Sequence, residues 1–453
     1  MKSLVPTAAS YPVSRLAQFI FVLLLTALAR PAQAQWVAQP FAFDSPEVFA
    51  YTFGVVDANV VWAAGYDENL TNRSVARTLN GGQSWALRTV TALSLTESIT
   101  SISATSALNA WVSTADTVGG RLLHTTDGGL TWTAPAAPVF GVSTPTFVHF
   151  FSATNGVAVA DPDTAAGSPF KIFVTRDGGL TWRPATTVPP ALTFESGTVL
   201  APAVVGNALW FVTDESRVFT SVDQGDNWLA AVANTTSSET YALAFTDAFH
   251  GVVLSIDNNN VLYEHATTDG GLTWLPVNYT GQLFAAGITG VPGAGLLVSV
   301  GAGELGASDV GSSYSRDNGV TWQTIETTQY HTGVAAFSAG AVWSGAVTNS
   351  LGLGFGQGVY RLPATALARR SAAQAASAAA YPNPNATGEF RLPLPAAAAT
   401  VRVTDALGRE IWRAVTAAGQ AELALSLRGQ TAGVYTLTVQ TAAGIARQQL
   451  VIQ

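Results

Sequence analysis

An all-β repeat fold is what this sequence predicts, and three observations carry it. An eight-residue box recurs six times, its closing tryptophans fall at a near-constant period, and short apolar strands recur between the boxes. The clearest box is Thr125-Thr126-Asp127-Gly128-Gly129-Leu130-Thr131-Trp132. Thr175 to Trp182, Ser221 to Trp228, Thr267 to Trp274 and Ser315 to Trp322 follow it, and Thr78 to Trp85 is a first copy with Asn80 in place of the aspartate. The shared pattern is [S/T]-x-[D/N]-x-G-x-x-W. Self-similarity at a fixed period marks a repeat array, in which each unit buries its apolar faces against its neighbours.

The tryptophans Trp85, Trp132, Trp182, Trp228, Trp274 and Trp322 lie 47, 50, 46, 46 and 48 residues apart. Such a period is close to the roughly 40–50 residues of one four-stranded propeller blade. A second signal, a turn followed by an apolar strand, occurs seven times, as at Ala110-Trp111-Val112 and Ala341-Val342-Trp343. The missing seventh box sits at the other end of the chain. Gln35-Trp36-Val37 resembles the segment that ends each box, and Trp36 precedes Trp85 by 49 residues. The expectation is a seven-bladed β-propeller over 35–363, with the N-terminal strand completing the last blade. Closure of this kind removes the open sheet edges.

The box composition has a mechanism. Asp at the start of a tight turn accepts backbone N–H groups. Gly supplies the positive φ of a two-residue hairpin. Trp gives a large apolar surface between blades, with an indole N–H left near solvent. Asn80 can make the same turn through its carbonyl oxygen. These six copies resemble the Asp-box of the sialidase-like and BNR-repeat propellers. The resemblance implies a structural role for Asn80, Asp127, Asp177, Asp223, Asp269 and Asp317 and their tryptophans, on the face away from the ligand site. The boxes are also similar to those of the photosystem II assembly-factor propellers, which bind protein partners through basic patches. This chain lacks such a patch, so that resemblance implies the fold alone. Two-propeller xyloglucanases share the box, but a single propeller cannot form their inter-domain cleft.

Residues 1–34 read as a secretory signal peptide, with Lys2 and Arg15 as the positive start before a mostly apolar run from Leu16 to Ala29, and Ala32-Gln33-Ala34 as the cleavage site. A run of that length is short for a membrane span, and no other segment is long and apolar enough, so no transmembrane segment is expected in the mature chain. Without residues 1–34 the chain keeps 18 basic against 29 acidic residues, a net charge near −11, with Lys171 its one lysine. That balance argues against nucleic acid as a partner. There is no cysteine, which excludes disulfides, thiolate metal sites and cysteine nucleophiles. No metal site and no cofactor motif is found.

Composition shifts at 363. The Ala-rich stretch 364–380 reads as a linker. From 381 to 453 come Tyr381-Pro382-Asn383-Pro384, Gly388 with Phe390, and alternating strands at Thr400–Thr404, Ile411–Ala414, Glu422–Leu427, Val434–Val439 and Arg447–Ile452. Asp405 with Gly408 forms a hairpin turn, and Gly433 with Tyr435 opens a strand. This pattern predicts a small Ig-like β-sandwich. The stretch resembles the type A C-terminal sorting domain of the Bacteroidota type IX secretion system, departing from it in the thin basic charge near its end, where Arg447 stands alone. The resemblance implies contact with the type IX secretion machinery, passage across the outer membrane, and a secreted or cell-surface address.

On a propeller of this kind, the loops between second and third strands share a face with the blade-to-blade connections, and that face carries the site. The loops supply Asp67, Arg73, Asp116, Arg121, Asp161, Asp163, Asp214, Arg217, Asp257 and Glu304. The connections add His149, Glu195, Tyr241, Tyr279, Tyr330 and His331. Asp161 and Asp163 are the best local carboxylate pair for a glycosidase, which needs two carboxylates roughly 5–10 Å apart. A sialidase would need three converging arginines, for which Arg73, Arg121 and Arg217 are the candidates, but its Arg-Ile-Pro motif is absent. The favoured expectation is a non-enzymatic propeller that binds an extracellular glycan or protein. A glycoside hydrolase is the alternative, and a purely structural surface component is a third possibility.

Overall fold

The computed structural model describes residues 36–452, apart from 42, 44–47, 67–71, 117–118, 138, 142, 164–166, 199–200, 235–238, 258, 304, 307, 348–357, 364–366, 368–379, 384, 395–397, 406–408 and 442–443. The expected signal peptide, Asp67, Glu304, Pro384, Gly408 and most of the linker lie outside the described residues. The chain forms two compact units, Met1–Ala368 and Arg369–Gln453.

The first unit is a β-propeller of seven sheets. In chain order their first strands are Phe49–Val55, Ser98–Ala104, Pro145–Phe150, Ala203–Val205, Glu239–Phe245, Gly287–Val291 and Tyr330–Ser338. All are antiparallel, and six are four-stranded. The second sheet has three strands, prolonged by mutual backbone bonds between His124 and Thr133 at 2.8 and 2.9 Å. The seventh takes its fourth strand from the start of the chain: Val37 pairs with Arg361 and Ala38 with Tyr360. Trp36 beside that strand is 3% exposed, and its indole N–H donates to Ser312 Oγ at 2.8 Å. Ring closure thus joins the two ends of the repeat array by both backbone and side chain.

Each box is an open turn held by side chains. Thr125 Oγ1 donates to Asp127 Oδ1 at 2.8 Å and accepts Gly129 N at 2.9 Å. Asp127 Oδ1 also accepts the N–H groups of Leu130 and Thr131, and Oδ2 accepts Thr131 Oγ1 at 2.6 Å. The bond from Thr131 leads a set that holds the Asp127 carboxyl down to about 2. Asn80 builds the same turn, accepting Ser84 N on Oδ1 and donating its amide to Ser84 Oγ. The expected two-residue hairpin is therefore corrected. The carboxylate reaches across to residues three and four ahead, so two consecutive residues take left-handed φ, as at Gly128 (78°) and Gly129 (86°). Asn318 and Gln224 occupy the first of these positions, whereas the second is always glycine. A Cβ at Gly179 would lie 2.3 Å from the ring of Trp111 in the preceding sheet, and one at Gly225 would lie 2.6 Å from Val157. The box is a wedge pressed against its neighbour, and only glycine fits there.

Four of the six box tryptophans go inward rather than staying near solvent, and Trp85 and Trp182 are half-buried. Trp132, Trp228, Trp274 and Trp322 are at most 9% exposed. Trp228 and Trp274 satisfy their indole N–H on Gly225 O and Gly271 O of their own box. Trp132 meets Trp62 of the first sheet edge-on at 6.4 Å, and Trp182 meets Trp111 at 6.0 Å. The wedge carries its tryptophan into the seam between sheets, where apolar burial of a ring this large dominates.

In the second unit, the strands Glu410–Thr416, Ala399–Thr404, Gly433–Thr441 and Gly444–Ile452 form one sheet, and Glu389–Pro393 pairs with Glu422–Ser426 in another. Phe390, Leu392, Val401, Val403, Leu425 and Leu437 share one core. Glu389–Pro393 forms a further strand directly after Gly388. The motif residues pin chain ends together. Asn383 Oδ1 accepts Val451 N at 2.8 Å, Asn385 Oδ1 accepts Thr387 N and Gly388 N, and Tyr381 shares two backbone bonds with Arg391. Asp405 accepts Arg409 N at 3.0 Å across its turn, and Tyr435 OH donates to Thr431 O.

One buried carboxyl departs from the repeat. Three residues before each box the sheets carry Val75, Leu122, Ile172, Val218, Glu264 and Ser312. Glu264 is 2% exposed and accepts the Trp322 indole N–H on Oε2 at 3.0 Å, while Oε1 has no partner among the described residues. Burial pushes its carboxyl up to about 8, with Asp317 adding to the rise. The folded state therefore holds this proton where the unfolded chain, near 4.5, has released it. The contribution is intact below about pH 4.5, is lost as pH rises towards 8 at about 1.4 kcal/mol per unit, and changes no further above that. Glu264→Gln, which keeps the acceptor for Trp322, is expected to raise the melting temperature at pH 8 and to flatten its decline between pH 5 and 8. An unchanged slope in thermal melts across that range would contradict this assignment.

Candidate binding face and axial channel

The first strands of all seven sheets line an axial cavity of about 360 Å³. Thr52, Ser103, His149, Leu243, Thr289 and Phe337 are among its walls. No Asp, Glu, Lys or Arg stands among its described lining residues. Burial holds the His149 imidazole down to about 4, so it is neutral at ordinary pH. The exposed backbone edges are partly capped from the neighbouring sheet. Val148 N and Phe150 N donate to Ser101 Oγ and Ser103 Oγ, both at 2.9 Å and both one repeat away. Such capping blunts an edge that would otherwise recruit another strand.

Five first strands carry a β-bulge near their starts, at one end of the channel. The extra residues are Tyr51, Thr100, Thr146, Tyr241 and the pair Thr332–Gly333 opposite Gly345. Bulges bend a strand and re-aim its side chains, and they concentrate beside functional sites. All five positions hold a hydroxyl-bearing residue. A smaller cavity of about 60 Å³ opens here, lined by Tyr51, Ala201, Ala286, Gly287 and Gly333 among others.

Around this end, buried carboxylates clamp the blade-to-blade connections. Glu195, 2% exposed, accepts Arg217 Nη1 at 2.7 Å, Thr213 Oγ1 at 2.6 Å and Leu192 N at 2.8 Å. Glu97 repeats the device with both carboxylate oxygens on Arg121 at 2.7 Å, plus Thr114 and Ser94 N. The Arg121 bonds lead the effects that hold the Glu97 carboxyl down to about 2. Glu326 holds His331 at 3.1 Å and the N–H groups of Thr328 and Gln329. The Glu195 clamp carries a tip at Phe194, which is 90% exposed at a φ of 65°.

Several sequence candidates are therefore placed differently than expected. Arg121 and Arg217 open the strands Gly120–Thr125 and Arg217–Ser221 and are engaged by their own carboxylates, rather than standing in loops ready for a ligand. His149 and His331 lie inside first strands, not in connections. Arg73 donates to Leu95 O at 2.6 Å, and Asp116 accepts Gly119 N in its own turn. Asp257 closes a local loop on Asn259 N, Val261 N and Tyr263 OH. Tyr330 is half-buried at the start of its strand. Asp163 is paired with Lys171 at 2.7 Å. Asp161, half-buried, accepts Gly197 N at 2.9 Å, and burial raises its carboxyl. The carboxylate whose charge adds to that rise is Asp214 of the next sheet, not Asp163. Asp214 in turn accepts Ser196 N at 2.9 Å. Among the described residues no group of three or more His, Cys, Asp or Glu could hold a metal ion.

Residues 379–453 match the secretion system C-terminal sorting domain. The chain thus carries a type IX sorting domain, and its address is the cell surface or beyond. No curated protein matches the chain. Among solved structures it is similar to YCF48 bound to D1 peptide, at 16% identity over 73% of this chain and 96% of that one, with a TM-score of 0.50. YCF48 from Cyanidioschyzon merolae is similar at 17% identity over 73% and 99% of the two chains, with a TM-score of 0.52. PorZ, a surface component of the type IX secretion system of Porphyromonas gingivalis, matches at 15% identity over 91% of this chain and 61% of its own, with a TM-score of 0.45. At these identities the YCF48 likeness establishes the propeller fold. No helix among the described residues is long and apolar enough to cross a membrane.

The clamps lead to a stability test. Arg217→Ala leaves the buried Glu195 carboxylate without its cation, a loss of about 3–5 kcal/mol. Urea unfolding should show a midpoint shift of that size with an unchanged slope. A neutral outcome would mean that Glu195 is wetter than its burial indicates.

Proposed function

We propose that this chain is an exported, non-catalytic binding propeller that takes an extracellular glycan or protein at the bulged mouth of its axial channel. The observation that supports this best is the uncharged channel itself. Catalysis of glycoside hydrolysis requires two carboxylates facing one bond, and the carboxylates around this mouth are spent on loops and arginines. Residues 1–34 are taken as the signal peptide that begins export, 35–363 as the propeller, 364–380 as the linker and 381–453 as the sorting module. The repeated boxes are taken as Asp-boxes of the sialidase-like kind. YCF48, a propeller of similar fold, is bound to D1 peptide, which is a precedent for a peptide ligand.

A second reading rests on Asp161. A half-buried carboxyl raised by burial and by a neighbouring carboxylate has the environment of a general acid. In that reading the pair is Asp161 with Asp214. The test is the purified mature chain on a broad glycan panel, with mass spectrometry of the glycans afterwards. Intact glycans are the expected result. Cleavage that disappears in Asp161→Asn would replace binding by hydrolysis. Export has its own check: a chain lacking residues 381–453 should accumulate in the periplasm of a bacterium with the type IX system, and its appearance in the medium would contradict the assigned role of the module.

A further inference from the structure

Three aromatic rings of the first sheet belong to no buried core: Tyr51 lines the small cavity at the channel mouth, and Phe49 and Tyr66 pack beside it. Phe49 and Tyr51 lie on the first strand Phe49–Val55, and Tyr66 ends the strand Val61–Tyr66, where it is paired directly with Phe49. Their centroids form a closed triangle with sides of 5.6, 5.8 and 6.5 Å. Phe49 and Tyr51 are half-buried and Tyr66 is 37% exposed. The core beneath them is built from other residues, including Phe43, Val48, Ala50 and Trp343. Rings needed for packing would sit in that core. These pack on one another and keep part of their surface in water.

The surroundings define what such a platform can hold. Tyr51 is the extra residue of its bulge and forms one wall of the small cavity, whose other walls include Ala201, Ala286, Gly287 and Gly333. Phe53, Leu243, Ile288 and Val334 add larger apolar side chains to the same walls. Neither cavity has an ionisable acid, Lys or Arg among its described lining residues. An anionic or cationic ligand would find no counter-charge there, so the complementary ligand is neutral. It must also be amphipathic, with an apolar face for the rings and hydroxyls for the Tyr66 OH and nearby strand backbone. Those properties belong to a pyranose, which shows axial C–H groups on one face and hydroxyls around its rim.

Resting on the binding reading above, we infer that Phe49, Tyr51 and Tyr66 form a stacking platform for a neutral oligosaccharide, which takes one sugar ring at the mouth. Binding is then driven by ring contact and hydroxyl hydrogen bonds and is insensitive to salt. A soluble oligosaccharide and the end of a surface polysaccharide present the same chemistry.

The test is calorimetric titration of the mature full chain with cellohexaose, xylohexaose, maltohexaose and chitohexaose, and a pull-down on the matching insoluble polysaccharides. The expected result is saturable binding of at least one, unchanged by added salt and weakened about tenfold or more in Tyr66→Ala. Tyr66 lies at the surface, so this variant should melt like the parent. Phe194→Ala, an exposed ring outside the triangle, should leave sugar binding unchanged. Binding only to the insoluble form would identify a polysaccharide end as the source. Equal affinity in the parent and Tyr66→Ala would overturn the platform. Absence of sugar binding, together with saturable binding of a purified extracellular protein, would overturn the platform while leaving the binding propeller intact. Absence of both would overturn both.

Discussion

The hydroxyl–carboxylate turn of the box is the interaction on which this structure depends. Thr125 or its counterpart positions the aspartate, the aspartate gathers two amides, and the gathered turn drives a glycine and a tryptophan into the seam with the preceding sheet. None of these bonds is strong alone, since the carboxylates are exposed and surface electrostatics are weak. Their effect is geometric. They fix the direction in which the tryptophan enters, and the buried ring supplies the apolar free energy. An exported chain without cysteine has no covalent staple, so cohesion between sheets must come from seams like these and from ring closure.

Closure is the second constraint. A four-stranded sheet wedged between two others still has an inner and an outer edge, and the array has two ends. Pairing Val37–Ala38 with Val359–Leu362 ties the ends together. The serine caps on Val148 N and Phe150 N treat part of the inner edge. Both devices act between residues far apart in sequence, and both use the same repeat register. The Trp36 indole reaches Ser312 across the last seam as Trp322 reaches Glu264 across the one before it.

The repeat made the propeller legible, because period-spaced tryptophans can only belong to stacked units. That the strand after Trp36 completes the last sheet was legible too, from its distance of one period. The inward turn of the box tryptophans was not, since composition cannot say whether a ring with one donor faces a seam or water. The site was less legible still. Arg121 and Arg217 look like ligand-binding cations until the fold brings Glu97 and Glu195 beneath them from connections 24 and 22 residues away. Asp161 and Asp163 look like a pair because they are near in sequence. The fold gives Asp163 to Lys171 and sets Asp161 beside Asp214. Glu264 could have been found by aligning the boxes with one another, where a carboxyl stands among Val75, Leu122, Ile172 and Val218. The bulges carry no local signal, because Tyr51, Thr100 and Thr146 are ordinary strand residues in composition.

Where the copies agree, they build the scaffold, and where they differ, chemistry becomes possible. The bulge recurs in five sheets and supplies threonine in three of them and tyrosine at positions 51 and 241. Tyr51 packs with two further rings, Phe49 and Tyr66. A scaffold of near-identical seams tolerates such local departures because each sheet contacts only its neighbours. The aromatic triangle of Phe49, Tyr51 and Tyr66 stands beside one end of the axial channel, where a local departure costs the repeated seams little.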